Sequence, residues 1–211
     1  MNQEEKLLII QSYLDEILPD AGCELTYSSD YGFLISVMLS AQCTDKKVNA
    51  VTEPFFAKYK SLKEVDELSI EEVEKWIKPL GLYKNKAKNI KGITHDLITK
   101  FDGKVPEDKE KLTSLPGVGN KTANVVRAEL FKIPEFPVDT HVERVSKRLG
   151  LVDENDDVLK IEKKLQKLFD EKNWIKLHHQ FIHFGRYFCK AISPKCDECK
   201  LRGICKKTPQ K

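Results

Sequence analysis

Four of the six cysteines fall in one short window, Phe188 to Cys205, which reads FCKAISPKCDECKLRGIC with the spacing C-x6-C-x2-C-x5-C. Thiols so close together in sequence either ligate a metal or pair as disulfides. The N-terminal stretch Met1-Asn2-Gln3-Glu4-Glu5 is polar and acidic where a secretory leader would be basic, and no apolar run reaches membrane-spanning length. The expected compartment is therefore the cytoplasm, where a four-cysteine cluster points to a metal. Structural zinc usually takes two close pairs, and only Cys196 and Cys199 are separated by two residues. Iron–sulfur ligation accepts such uneven spacing, so spacing alone leaves both metals open. Cys23 and Cys43, far upstream among apolar residues, are expected to be buried small hydrophobes. His179 and His183 are four apart, but Gln180 between them is not the Glu of a zinc-protease motif, and with His178 they are expected to be structural.

A second candidate site is Leu115 to Ala123, LPGVGNKTA. Glycine turns that open a helix present backbone N–H groups to anions. The nucleotide motifs do not fit: Asn120 separates Gly119 from Lys121, and Thr122 stands where a dinucleotide fingerprint needs its third glycine. Gly117 and Gly119 let a phosphate approach the main chain. On a wheel of about 100° per residue, Ala123, Val126 and Leu130 gather opposite Lys121, so the lysine faces out. As a nucleophile its amine would have to be neutral; moving its pKa from about 10.4 to about 8 takes roughly 3 kcal/mol. Asp139, after Pro137-Val138, opens a helical run to Arg148 and reads by itself as a cap.

These residues need elements to hold them, and the periodicity is helical nearly throughout. Leu7, Leu8, Ile10, Tyr13, Leu14, Ile17 and Leu18 make one expected face, Phe33, Leu34, Val37 and Met38 another, and Val158 to Phe169 repeats the pattern. A helix is expected from Val105-Pro106 to Ser114, which makes LPGVGNKTA the turn of a helix–turn–helix unit. Turns fall at Pro19–Gly22, Pro79–Gly81, Asp102-Gly103 and Ile133–Pro137. About ten helices and no strands predict an all-α protein. At 211 residues, 40% apolar and 33% charged, the chain is an ordinary globular protein of one or two domains. Its net charge of +3 is uneven, since Arg186–Lys211 holds eight basic and two acidic residues.

In order, LPGVGNKTA, Val138-Asp139-Thr140-His141-Val142 and the cysteine window resemble the endonuclease III family, bifunctional DNA glycosylases and AP lyases of the helix-hairpin-helix superfamily. Leu39–Asp45 (LSAQCTD) and Gly81–Ala87 (GLYKNKA) extend the resemblance over almost the whole chain. It implies a six-helix barrel domain over residues 21–131, and a discontinuous helical cluster domain formed by 1–20 and 132–211. It implies a [4Fe-4S] cluster on Cys189, Cys196, Cys199 and Cys205. It implies that Lys121 attacks C1′ of a flipped-out nucleotide, forming a Schiff base, while Asp139 handles protons and stabilises positive charge. Expected DNA contacts are Gln42 and Leu82 as fillers of the vacated stack, Leu115, Gly117, Val118 and Gly119 of the hairpin, His141, and Lys190 and Lys195 of the cysteine loop. Without the resemblance Leu82 reads as core and Gln42 as a polar helix end. The implied activity is removal of oxidised pyrimidines from damaged double-stranded DNA, followed by strand cleavage 3′ to the abasic site, by a monomer.

Asn120 departs from the family, which often has a basic residue there, and implies one phosphate contact fewer. Cys43 stands where a small residue such as Ala is common. Rival readings are a monofunctional adenine-mismatch glycosylase, which usually lacks the lysine at 121, a non-catalytic DNA-binding scaffold, and an electron carrier. Nicking of abasic duplex separates the enzyme from the last two.

Overall fold

Among residues 1–206, those described in this computed structural model, every regular element is helical and no strand forms. The final residues of the basic end, 207–211, lie outside the described residues. The chain divides into two compact units. The inner unit is Glu24–Ile133; the terminal unit joins Met1–Cys23 to the described part of Pro134–Lys211.

The inner unit contains α2 (Asp30–Leu39), α3 (Asp45–Lys58), α4 (Leu62–Glu67), α5 (Ile70–Ile77), α6 (Tyr83–Lys100), α7 (Lys109–Thr113) and α8 (Asn120–Phe131). Their starts are written in the sequence. The side chains of Ser29, Thr44, Ser61, Ser69 and Asp108 each accept a first-turn amide, and Glu64 and Glu72 complete capping boxes. Gly32 to Leu39 of α2 are all buried, so the helix is apolar on every side and forms the centre of this unit. It packs against α8, α3 and α6. Helix α6 in turn touches the hairpin turn through Gly92, where an added Cβ would lie 2.6 Å from Pro116 Cγ.

The expected start of α7 at Val105-Pro106 is wrong. Val105–Asp108 forms no helix; Val105 is buried, Arg127 Nη1 donates to the Glu107 carbonyl at 3.3 Å, and Asp108 caps a helix that begins only at Lys109. These tertiary contacts outweigh the preference of Pro106 for a first turn.

The terminal unit contains α1 (Gln3–Ile17), α9 (Thr140–Arg148), α10 (Val158–Leu168) and α11 (Trp174–His183). Ile10, Tyr13 and Leu14 of α1 share a core with Phe136, Val142, Val145, Leu165, Phe181 and Leu201. Leu8 does not belong to that face: it is 63% exposed. It stands about 200° from Ile10 on the wheel, outside the stripe. Helix α11 continues into a π-helical turn, Phe184–Phe188, closed by the Cys189 amide donating to the Phe184 carbonyl at 2.6 Å. Such turns shift the register of the residue that follows, here the first cysteine of the window.

Candidate nucleic-acid interface and metal centre

The inner unit holds Gln42, Leu82, Leu115, Gly117, Val118, Gly119 and Lys121; the terminal unit holds Asp139, His141, Lys190, Lys195 and the four cysteines. Between α7 and α8 the chain turns tightly. Leu115 and Val118 are buried anchors, and the Val118 amide donates to the Leu115 carbonyl at 3.1 Å. Gly117 sits at φ 74°, and a Cβ there would collide with the Asn89 side chain, so both conformation and space require glycine. Gly119 is the N-cap of α8 and makes no side-chain cap. A glycine at that position brings no side-chain oxygen to the first amides of α8, and the turn has the chemistry of an anion site. Lys121 is exposed in the first turn of α8, while Ala123 and Val126 are buried.

Two other turns of the inner unit present side chains outward. Gln42, after α2, is exposed at φ 58°, and Leu82, the N-cap of α6, is 60% exposed at φ 47°. Read from its residue type alone Leu82 belongs in the core, and the structure corrects that. A left-handed backbone costs a non-glycine residue roughly 1–2 kcal/mol, so surrounding contacts must hold both. Cys43 is also corrected: it is half-buried and its thiol donates to the Leu80 carbonyl at 2.7 Å. Sequence reasoning missed Lys86, which is buried against these same turns. The available signal was its place on the apolar stripe of α6, one helical turn before Ile90.

In the terminal unit Asp139 caps α9, its Oδ1 accepting the His141 amide at 2.8 Å and the Val142 amide at 2.9 Å. Arg144 Nη2 lies 3.2 Å from His141 Nδ1. A guanidinium can only donate, so Nδ1 is the acceptor and the ring carries its proton on Nε2. Burial holds the His141 ring below its usual pKa; Asp139 opposes this and Arg144 and Arg186 reinforce it. The imidazole is neutral at physiological pH.

Cys189, Cys196, Cys199 and Cys205 line one cavity with Arg148, Leu149, Phe184, Leu201 and Arg202. None of the four is in a disulfide. Arg148 Nη1 donates to Cys189 Sγ at 3.3 Å, and the Cys205 thiol donates to the Arg148 carbonyl at 3.2 Å. Burial pushes the Cys199 thiol up, and the other three cysteines add to the effect. Four thiolates are the ligand set of an iron–sulfur core, which would supply the positive charge that holds them together, and the two arginines suit the residual negative charge of such a centre. The loop after Cys189 is held in shape by Arg148, which donates to the carbonyls of Lys190 at 2.7 Å and Ala191 at 3.3 Å. Lys190 and Lys195 are exposed on that loop, and the Lys195 ammonium lies 6.0 Å from the Phe188 ring centroid.

Comparison with known proteins gives this arrangement a family. Residues 35–171 match the HhH-GPD superfamily of base excision DNA repair proteins, and residues 189–205 match the iron–sulfur binding domain of endonuclease III. Endonuclease III of Bacillus subtilis is 47% identical over 193 residues, covering 92% of this chain and 88% of that protein. Endonuclease III of Escherichia coli is 39% identical over 205 residues, covering 97% and 96%. A solved non-covalent endonuclease III–DNA complex superposes with a TM-score of 0.94 at 46% identity, covering 98% of this chain and 96% of that one. A trapped endonuclease III–DNA covalent intermediate gives 0.93 at 46% identity, with 98% and 97% coverage. The chain therefore belongs to the endonuclease III family of the HhH-GPD superfamily, base-excision-repair DNA glycosylases that carry a [4Fe-4S] cluster.

Proposed function

We propose that this protein removes oxidised pyrimidines from duplex DNA and then cleaves the strand 3′ to the vacated sugar by β-elimination. The observation that carries the reading is Lys121, an exposed amine in the first turn of a helix whose N-terminus has no side-chain cap. The covalent protein–DNA intermediate solved for a relative 46% identical supports a nucleophile of this kind. The hairpin amides and the loop lysines grip phosphates, and Gln42 and Leu82 enter the stack as the damaged nucleotide leaves it.

The neutral amine of Lys121 attacks C1′, and the electron pair of the N-glycosidic bond departs with the base, which takes a proton. Opening of the sugar ring leaves an imine between C1′ and Nζ. Loss of the C2′ proton then expels the 3′ phosphate by breaking the C3′–O bond, and water finally releases the lysine. Asp139 accepts the proton that the attacking amine sheds and stabilises positive charge on the sugar. Cys189, Cys196, Cys199 and Cys205 would hold the cluster. Glycosylic displacement and elimination transfer no electrons, so the cluster's contribution is charge and rigidity for the loop of Lys190 and Lys195.

The test is borohydride trapping with a thymine-glycol duplex. Wild type is expected to give a stable protein–DNA adduct and a strand cut, and Lys121→Ala neither, while still binding a reduced abasic analogue. An adduct formed by Lys121→Ala at the normal rate assigns the nucleophile to another amine.

A further inference from the structure

One ammonium reaches both turns that carry the left-handed residues Gln42 and Leu82. Lys86 is 5% exposed. Its Nζ donates to the carbonyls of Leu39 at 3.0 Å, Ala41 at 3.0 Å and Leu80 at 3.2 Å, and to Cys43 Sγ at 3.3 Å. Ala41 and Cys43 are the two neighbours of Gln42. Leu80 lies two residues before Leu82, and the Lys86 amide itself donates to the Leu82 carbonyl at 3.1 Å. The Cys43 thiol closes the arrangement by donating to the Leu80 carbonyl.

A buried lysine ordinarily has a carboxylate partner. No acidic side chain is among the partners of Lys86. In its place stand backbone carbonyls at the C-terminal end of α2 and of the 3-10 turn Lys78–Leu80, the negative ends of two helical segments. Among ordinary side chains only an ammonium on a four-carbon stem can direct three donors at carbonyls of two separate turns from such depth. An apolar residue would fill the space but take the ammonium donor from the Leu39 and Ala41 carbonyls, and leave Leu80 only the Cys43 thiol.

We propose that Lys86 is a positioning residue that clamps the two turns together, so that Gln42 and Leu82 are presented to DNA as one rigid pair. This rests on the reading of Gln42 and Leu82 as residues that enter the duplex, and adds what holds them there. Lys86 touches neither substrate nor the reacting atoms; it acts on the step that opens the stack. Its loss should therefore weigh on substrates that must be opened and spare those already open.

The experiment compares single-turnover cleavage by the cluster-loaded enzyme of thymine glycol in a fully paired duplex and at the centre of an unpaired bubble. For Lys86→Met, which keeps the length and loses the charge, the paired-duplex rate is expected to fall by about tenfold or more and the bubble rate by less than about threefold. Equal losses on both substrates would make Lys86 a plain core fastener, and no loss on either would leave it without a role; both overturn the proposal. Leu82→Ala, run alongside, should lower the same ratio. If it does and Lys86→Met does not, the clamp fails and the role of Leu82 stands; if Leu82→Ala leaves the ratio unchanged, the reading of the inserted residues fails and the clamp with it. Should Lys86→Met not fold, Lys86→Gln, which also lacks the charge and keeps a polar head, is put through the same comparison.

Discussion

Asp139 is the residue at which structural and catalytic roles must be separated by chemistry. Its carboxylate closes the N-terminus of α9 by accepting two amides through Oδ1. Asn caps a helix as well as Asp does, whereas Ala loses about 1 kcal/mol of cap. Asp139→Asn should therefore keep the melting temperature and the binding of an abasic analogue while slowing base release by roughly a hundredfold, the scale of removing one transition-state charge contact. Asp139→Ala should show the same slowing and a lower melting temperature besides. Base release by Asp139→Asn at the wild-type rate, measured as free thymine glycol, would reduce the residue to a cap. The cap was legible from the sequence, because Asp before a helical run is a local signal. The exposure of Leu82 was not: a leucine beside an apolar pattern reads as core, and the left-handed backbone that turns it outward depends on contacts made by distant residues.

Helix starts were legible for a similar reason. Ser29, Thr44, Ser61 and Ser69 each signal a start within a few residues, and the capping boxes with Glu64 and Glu72 form as their spacing dictates. What periodicity could not supply were features made by tertiary contacts, such as the late start of α7 and the π-helical turn at Phe184–Phe188. In that turn Arg144 Nη2 donates to the Gly185 carbonyl at 2.8 Å and also reaches the Cys189 carbonyl. The loop that follows is fixed through its backbone, by Arg148 on the carbonyls of Lys190 and Ala191 and by the Lys195 amide donating to the Phe188 carbonyl at 3.1 Å. Removing the side chains of Lys190 and Lys195 should thus leave its shape intact and delete only charge. The double change to Ala is expected to weaken binding to damaged and undamaged duplex alike, and to reduce the slope of log affinity against log salt by about 1 to 2. A loss confined to damaged DNA would mean that these lysines read the lesion.

At the scale of the whole molecule the two ends of the chain build one unit around the cysteine window. Tyr13 of α1 packs edge-on against Phe184 and Phe188, with the Lys200 ammonium 5.9 Å from its ring centroid. Leu201, between the third and fourth cysteines, is fully buried in the same core. Lys176 Nζ and Gln180 Nε2 hold Asp15 at 2.6 and 2.8 Å. The segment 189–205 is thus a wall of the terminal core, and metal binding there is folding free energy for the unit. The two tryptophans allow the units to be watched separately. Trp174 donates from Nε1 to the Phe169 carbonyl at 2.8 Å in the terminal unit, and Trp76 lies among Phe55 and Tyr59 in the inner one. In a Trp76→Phe background, wild-type cysteines should give brown protein containing iron and sulfide with Trp174 emission at short wavelength. Adding Cys196→Ser should lose the colour and shift that emission to the red, because the core against which the half-buried Trp174 packs loses one wall. The same change in a Trp174→Phe background should move the Trp76 emission far less, since that half-buried ring packs on Phe55 and Tyr59 of the other unit. Stoichiometric zinc in the anaerobically purified wild type, or a Cys196→Ser protein with full colour and unshifted emission, would remove the cluster from its place in this fold.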